Sequence, residues 1–350
     1  MSATNPPNIG IIGAGRISQL IHITSFIAVG GSNLIAIADH QTERAKRVAK
    51  RYAIPKVYES HTELLQDSDI DAVIVAINRR DTTAVVRDAL LAGKHVLSEK
   101  PMAYSIEEAA SLQGIAAKND LIYNIGYMKR HDSAVIRARE ILFGQSSDSG
   151  LGDLLMARFY NFGGDSNKAY TYFRSDRPRH KVQNSTPELP SWVPENRASD
   201  YDQFMNVYSH DINLYRYLMG DDIKILSVRS QSDKFFVSAT KEDRVQVYLD
   251  LSYMPFVDWH EGADFMFEKG KIALTFPSPV DYDGRVVLNK FTLDSTNTLQ
   301  QESYYSDRWA FKVQAESFIH NILRKSPQVC SGESCLADYS LIEKIWKAAS

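Results

Sequence analysis

The stretch "NIGIIGAGRIS", residues 8–18, decides the architecture. Its first half is a short apolar run of the kind that forms a strand buried on both faces. Two glycines, Gly13 and Gly15, follow with Ala14 between them, and "RISQLIHITSFIAV" then sets Ile17, Leu20, Ile21, Thr24 and Ile27 at helical spacing. A strand that turns on glycines straight into a helix has the form of a dinucleotide-binding turn. Gly13 permits the tight turn, and Gly15 lets the backbone approach a pyrophosphate at the positive end of the helix. The third fingerprint position is Ser18, small enough for the helix-to-strand packing needed there.

Further along, apolar runs alternate with amphipathic ones. "NLIAIAD", "KVY", "DAVIVAI", "KHVLSEK" and "LIYNIGY" read as strands. Between them lie helices opened by Thr42 as N-cap, closed by Gly93, or begun by a Ser105…Glu108 capping box. The alternation predicts a doubly wound parallel sheet over residues 1–128. Asp39 ends the second strand, where such a fold places the acid that holds a ribose diol. That favours NAD, while His40 and Arg44 nearby keep NADP open. Residues 129–350 read as an α+β domain with an open, mostly antiparallel sheet. Its strands are "LLMARFYNF", "IKILSVRSQ", "VQVYLDLSYM", "ADFMFEKGKIALTF" and "GRVVLNKFTL", with a helix at 201–219 between the first two. The C-terminal helices have room to pack back on the first domain.

At 350 residues the chain exceeds what one core supports, in keeping with two domains. A net charge of −3 argues against a nucleic-acid partner. Cys330 and Cys335 have no second Cys/His cluster to complete a metal tetrahedron, so no metal is expected and a reduced cytoplasmic pair is the reading. The N-terminus lacks a basic segment, and the apolar stretch after it is too short for a signal or a membrane span.

"AGKHVLSEKPMA" closes the fifth strand with Glu99, Lys100 and Pro101, at the carboxyl edge where such sheets bind ligands. It resembles the Glu-Lys-Pro signature of the glucose–fructose oxidoreductase/inositol dehydrogenase/rhizopine catabolism (Gfo/Idh/MocA) family. "GIIGAGRIS" is similar to that family's nucleotide turn, "NIGYMKRHD" to the segment after its sixth strand, and "YSHDINLYRYLMG" to its catalytic helix. The C-terminal "AESFIHNILRKSPQVCSGESCLADYSLIEKIW" is similar to its closing helices, so the resemblance spans nearly the whole chain.

The resemblance implies hydride transfer between nicotinamide and a secondary hydroxyl or ketone of a sugar, cyclitol or nucleotide sugar. Such a reaction needs a group to take the hydroxyl proton and a charge to steady the alkoxide. Lys100 suits the charge, and the proton too where burial lowers its pKa. A cis bond before Pro101 is carried over from the family. Gly13, Ala14, Gly15, Arg16, Ile17, Asp39, His40, Ile77, Asn78, Glu99, Lys100 and Pro101 are the expected cofactor contacts. Helical spacing puts Asn206, His210, Asn213 and Tyr217 along one broad face. The family has Asp four residues before the His and three after it. Asn stands at both places here, so His210 is the expected acid/base beside Lys100, and Asn206 a binder of substrate hydroxyls. Asp211 is expected to point about 100° away, as a surface acid.

"YTYFRSDRPRHK", residues 170–181, suggests an anion grip built on Arg174 with Tyr172 for a sugar face. Arg130 and Lys129 could add to it, and Asn213 joins the expected substrate contacts. A homodimer or homotetramer through the second sheet is the expected assembly. Two other readings stay open: redox-assisted glycoside cleavage with recycled NAD, and a regulator that binds NAD without turnover.

Overall fold

Each apolar run of the first half becomes a parallel strand in this computed structural model, which describes residues 5–144, 150–164, 189–254, 258–293, 296, 298–324 and 326–349. The strands are β1 (Asn8–Ile12), β2 (Asn33–Ala38), β3 (Lys56–Tyr58), β4 (Ala72–Val75), β5 (His95–Ser98) and β6 (Tyr123–Ile125). They are ordered β3-β2-β1-β4-β5-β6, so the sheet reverses its winding between β1 and β4 and opens a crevice there. The intervening helices are α1 (Thr24–Val29), α2 (Thr42–Tyr52), α3 (His61–Leu65), α4 (Arg79–Leu91) and α5 (Ile106–Lys118). Ile9, Ile11, Ile37, Ile74 and Leu97 form the sealed centre. Ala315, Phe318 and Ile319 join it, with Phe318 edge-on to Phe26 at 6.4 Å.

Gly93 closes α4 at φ +74°, and the Ser105 hydroxyl accepts from the Glu108 N–H as a capping box requires. Two local expectations are corrected. Thr42 is the first helical residue of α2 rather than its cap, because the first helical hydrogen bonds run to the Gln41 carbonyl, from the N–H groups of Arg44 at 2.8 Å and Ala45 at 3.1 Å. The helix after the glycine turn opens as a π-helical turn, Ser18–Ile23, before α1 continues it. The Thr24 hydroxyl donates to the carbonyls of Leu20 and Ile21, at 2.7 and 3.1 Å, where the wider turn meets the regular one.

Two compact units divide the chain, one made of the residues up to Met128 with Phe311–Leu336, the other running on from Lys129 with Ser191–Ala310 and the residues from Ala337. The second unit contains α6 (Ser133–Leu142), β7 (Leu154–Gly163), α7 (Ala198–Val207), α8 (Ser209–Met219), β8 (Lys224–Gln231), β9 (Lys234–Lys241), β10 (Val245–Leu251), β11 (His260–Phe267), β12 (Gly270–Phe276), β13 (Val287–Leu293) and β14 (Leu299–Tyr305). Helices α9 (Ala310–Ile322) and α10 (Gly332–Ala348) end the chain. The eight strands run β14-β13-β12-β11-β7-β10-β9-β8, antiparallel except for the β7–β10 pair. "ADFMFEKGKIALTF" is a hairpin of two strands, β11 and β12, and β9 and β14 add two strands beyond those read from the sequence. Inward residues such as Ala157, Phe159, Val247 and Leu249 are sealed, and Phe159 meets Tyr215 of α8 edge-on at 5.4 Å.

Candidate functional site

The nucleotide turn is shaped by what cannot fit in it. Gly13 has φ +101°, and a Cβ there would strike the Ala76 carbonyl and come within 2.8 Å of Ile77 Cγ2. A Cβ on Gly15 would meet nothing within 4 Å, so the space before it is open, as a pyrophosphate requires. The Gly13 N–H is held by Ala38 O at 2.8 Å, tying the turn to the end of β2. These residues fit a dinucleotide.

Asp39 is sealed beneath the turn. It accepts from the Ala14 N–H at 2.7 Å and from the Gln41 N–H, and Arg44 grips both its oxygens at 2.7 Å. The carboxylate therefore carries a cation beside it. Its repulsion of a 2′-phosphate is offset, and the preference for NAD expected from Asp39 alone is weakened. His40 is exposed, 3.7 Å from Asp39. Arg16, Ile17 and Ile77 are half-buried, and Ala14 is sealed. Asn78 is exposed and caps α4 by accepting from the Arg80 N–H.

At the end of β5, Glu99, Lys100 and Pro101 follow in succession, with a cis bond between Lys100 and Pro101. Glu99 hydrogen-bonds His22 of the π-helical turn, Nε2 to Oε1, at 2.8 Å. Burial alone would raise the Glu99 carboxyl. The His22 hydrogen bond and charge, with Lys100 next to it, hold it below the ordinary carboxylate value. His22 had no part in the expected site; its only sequence signal is a polar side chain inside an apolar helical run.

In the second unit the expected single helix is broken at Tyr208, so Asn206 lies in the last turn of α7 and His210 in the first turn of α8. Both are half-buried. Asn213 is not at a surface: its Oδ1 accepts from Arg130 Nε at 2.7 Å, and its Nδ2 donates to Asp338 at 2.8 Å. Arg216 completes this buried network by pairing with Asp338. Arg130 and Asn213 thus hold each other, both buried, in the described structure.

Asp211 is corrected most. It is 2% exposed, because α8 is enclosed on nearly all sides, and so is no surface acid. Asn161 Nδ2 donates to it at 2.9 Å. Burial raises it, Lys129 opposes, and Glu261 raises it further, leaving its carboxyl pushed up to about 8. Glu261 in turn pairs with Lys129 and accepts from Trp259 Nε1 at 3.1 Å. Asp211, Glu261 and Lys129 thus form one buried charged cluster. Tyr172 and Arg174 lie outside the described residues. Among the described residues no three His, Cys, Asp or Glu side chains come together as a metal site would need, and no helix is long and apolar enough to cross a membrane.

Residues 7–127 match the model of an oxidoreductase family with an NAD-binding Rossmann fold. Among curated proteins, the chain is 26% identical over 214 residues to an uncharacterized oxidoreductase of Bacillus subtilis, covering 61% of this chain and 54% of that one. It is 31% identical to trans-1,2-dihydrobenzene-1,2-diol dehydrogenase of Bos taurus, covering 43% and 44%. It is 29% identical to myo-inositol 2-dehydrogenase of Thermotoga maritima, covering 38% and 39%. The matched parts thus span about half or less of these relatives. Among solved structures, a 3-ketoreductase of Actinomadura kijaniata in complex with NADP and TDP-benzene superimposes with a TM-score of 0.76 at 19% identity, covering 98% of each chain. UDP-N-acetylglucosamine 3-dehydrogenase of Acidithiobacillus ferrooxidans gives 0.71 at 20% identity, covering 97% of each. At such identities these two show the shared fold. With its nucleotide turn, its Glu-Lys-Pro strand end and the family-model match, the segment 7–127 is the NAD-binding Rossmann part of a Gfo/Idh/MocA-type oxidoreductase.

Proposed function

We propose that the protein is an NAD(P)-dependent dehydrogenase or ketoreductase acting on a secondary hydroxyl or ketone of a sugar, cyclitol or nucleotide sugar. The observation that carries this reading is a glycine turn open before Gly15 in the same sheet whose fifth strand, one strand removed from β1, ends in Glu99-Lys100-cis-Pro101. The nicotinamide supplies or accepts the hydride. Gly13, Gly15 and the residues around Asp39 and Arg44 hold the dinucleotide, and either NAD or NADP suits the paired charges. Lys100 holds a positive charge against the alkoxide oxygen and exchanges its proton at Nζ. His210 acts as acid/base through its ring, and Asn206 binds a hydroxyl of the substrate. Arg174 and Tyr172 are proposed as grips for an anionic or sugar-like group.

A relative named as a myo-inositol 2-dehydrogenase, and solved neighbours named as a 3-ketoreductase and a UDP-N-acetylglucosamine 3-dehydrogenase, support this substrate class. Assembly into a homodimer or homotetramer through the second sheet is supported by its exposed apolar residues, Leu155, Leu226 and Phe236. The test is a screen of sugars, cyclitols and nucleotide sugars with NAD and NADP, read at the reduced-nicotinamide band. Steady formation of reduced cofactor with one of them supports the reading. Cofactor binding without turnover on any, in either direction, would sink it.

A further inference from the structure

The sheet edge that presents Lys100 is braced by a pairing of Glu99 with His22, a residue outside the expected site. His22 is 2% exposed, and its Nε2 meets Glu99 Oε1 at 2.8 Å. It stands on the π-helical turn Ser18–Ile23, a rare geometry that recurs at functional sites. The turn is pinned at both ends. The Ser18 hydroxyl donates to Ala76 O at 3.3 Å, and the Thr24 hydroxyl donates to Leu20 O and Ile21 O. Glu99 is fixed as well. Its N–H donates to Val75 O at 2.9 Å, and Gly126 backs it so closely that a Cβ there would lie 3.4 Å from Glu99 Cα and 3.5 Å from its carboxyl carbon. The carboxyl group thus has protein on one side, His22 on another and Lys100 as its chain neighbour.

From this geometry we infer that His22 is a positioning residue that acts on Lys100 through Glu99. By holding Oε1, the imidazole neutralises part of the field that the carboxylate exerts on the neighbouring Lys100 charge. Lys100 is then held in its charged form less strongly than beside a bare carboxylate, and gives up its proton more readily. The π-helical turn serves to aim His22, since a wider turn changes which side chain faces β5.

The inference rests on the reading of Lys100 as the proton-handling group, but its test needs neither substrate nor cofactor. Lysines are labelled by reductive ¹³C-methylation, which keeps their charge, and the Lys100 signal is assigned by its loss in Lys100→Arg. Its titration is followed by NMR in the intact protein, in His22→Phe, which fills the space but cannot donate, in His22→Gln, which can, and in Glu99→Gln. An imidazole is neutral in the alkaline range where lysines titrate, so what His22→Phe removes there is a hydrogen-bond donor. The freed carboxylate then favours the charged form of Lys100 more strongly. The Lys100 midpoint should rise by about half a pH unit or more in His22→Phe, stay within about 0.2 of the parent in His22→Gln, and fall in Glu99→Gln. An unchanged midpoint in His22→Phe overturns the inference, as does an equal shift in His22→Gln, which would make His22 a packing residue. Should His22→Phe fail to fold, the other two variants decide: the inference stands if Glu99→Gln lowers the midpoint while His22→Gln does not move it, and fails otherwise. Failure here with turnover intact would leave the proposed reaction standing, and success without turnover would leave only the reaction refuted.

Discussion

Replacing Asp211 by Asn should remove one proton from the pH dependence of folding. In the unfolded chain this carboxyl titrates near 3.8, whereas in the fold it is pushed up to about 8. Between those values the native state binds one more proton than the unfolded state. A raised pKa contributes stability that is fully present below the unfolded value and is lost as pH rises through the folded one. The loss is about 1.4 kcal/mol per pH unit, or about 3 kcal/mol between pH 5 and pH 7. An Asn amide can accept from Asn161 and donate to Glu261 as the protonated acid does, so Asp211→Asn should keep what the parent loses. The assay is urea unfolding at pH 5, 6 and 7, read by tryptophan fluorescence. All four tryptophans, Trp192, Trp259, Trp309 and Trp346, belong to the unit that holds Asp211, so the signal reports on that unit. Asp132, pushed up to about 6 by burial, and His131, pushed down to about 4 by burial, are common to both proteins and cancel in the difference. A difference between variant and parent that stays flat from pH 5 to pH 7 would refute the reasoning, because Asp211 would then be ionised inside the fold.

Gly13→Ala should abolish dinucleotide binding in fluorescence titrations and lower the melting temperature, because its Cβ would strike the Ala76 carbonyl at a positive φ; unaltered binding would show the turn is not the cradle. Lys100→Met and His210→Ala should each cost about 10²–10⁴ in turnover on the substrate found by screening, with circular dichroism unchanged. Near-full activity in either variant removes that residue from the reaction. Arg44→Ala should leave Asp39 without its cation and weaken NADPH about 10- to 100-fold, on the scale of one charge-assisted hydrogen bond, while sparing NADH. Equal losses for both cofactors would mean that Arg44 serves only to hold Asp39.

The six strands of the first sheet were legible because each is a short apolar run bounded by a helix with its own caps. Thr24 fits an ordinary helical spacing from Leu20 and Ile21, so nothing in that pattern announces a π-helical turn; its hydroxyl bonds appear only in three dimensions. His22 was missed for the same reason. Asp211 misled differently: the angle from His210 is sound, but α8 has almost no solvent-facing side, so pointing away from His210 still meant pointing into protein. Asn213 and Arg130 were legible as polar residues of interest, yet their partner Asp338 lies 125 residues beyond Asn213, a pairing no local pattern can reveal. β14 escaped because all seven of its residues are exposed, so it carries no apolar alternation.

On the second sheet, Gly262 of β11 sits directly across from Tyr160 of β7, and the tyrosine ring lies over it where a Cβ would otherwise be. The same ring packs on His260 at 5.1 Å, His260 packs on Phe162 at 5.6 Å, and Arg158 stands over Tyr160 at 5.6 Å. The glycine is therefore hemmed in twice, by the ring and by the Leu274 carbonyl, which a Cβ at 262 would meet at 2.6 Å. In an evolving lineage the glycine outlasts its tyrosine: losing the ring disperses the cluster, but the backbone carbonyl still bars a side chain at 262. A chain that retains Gly262 after losing the aromatic at 160 would be left with a bare furrow across the sheet, and would be under pressure to fill it from the strand alongside.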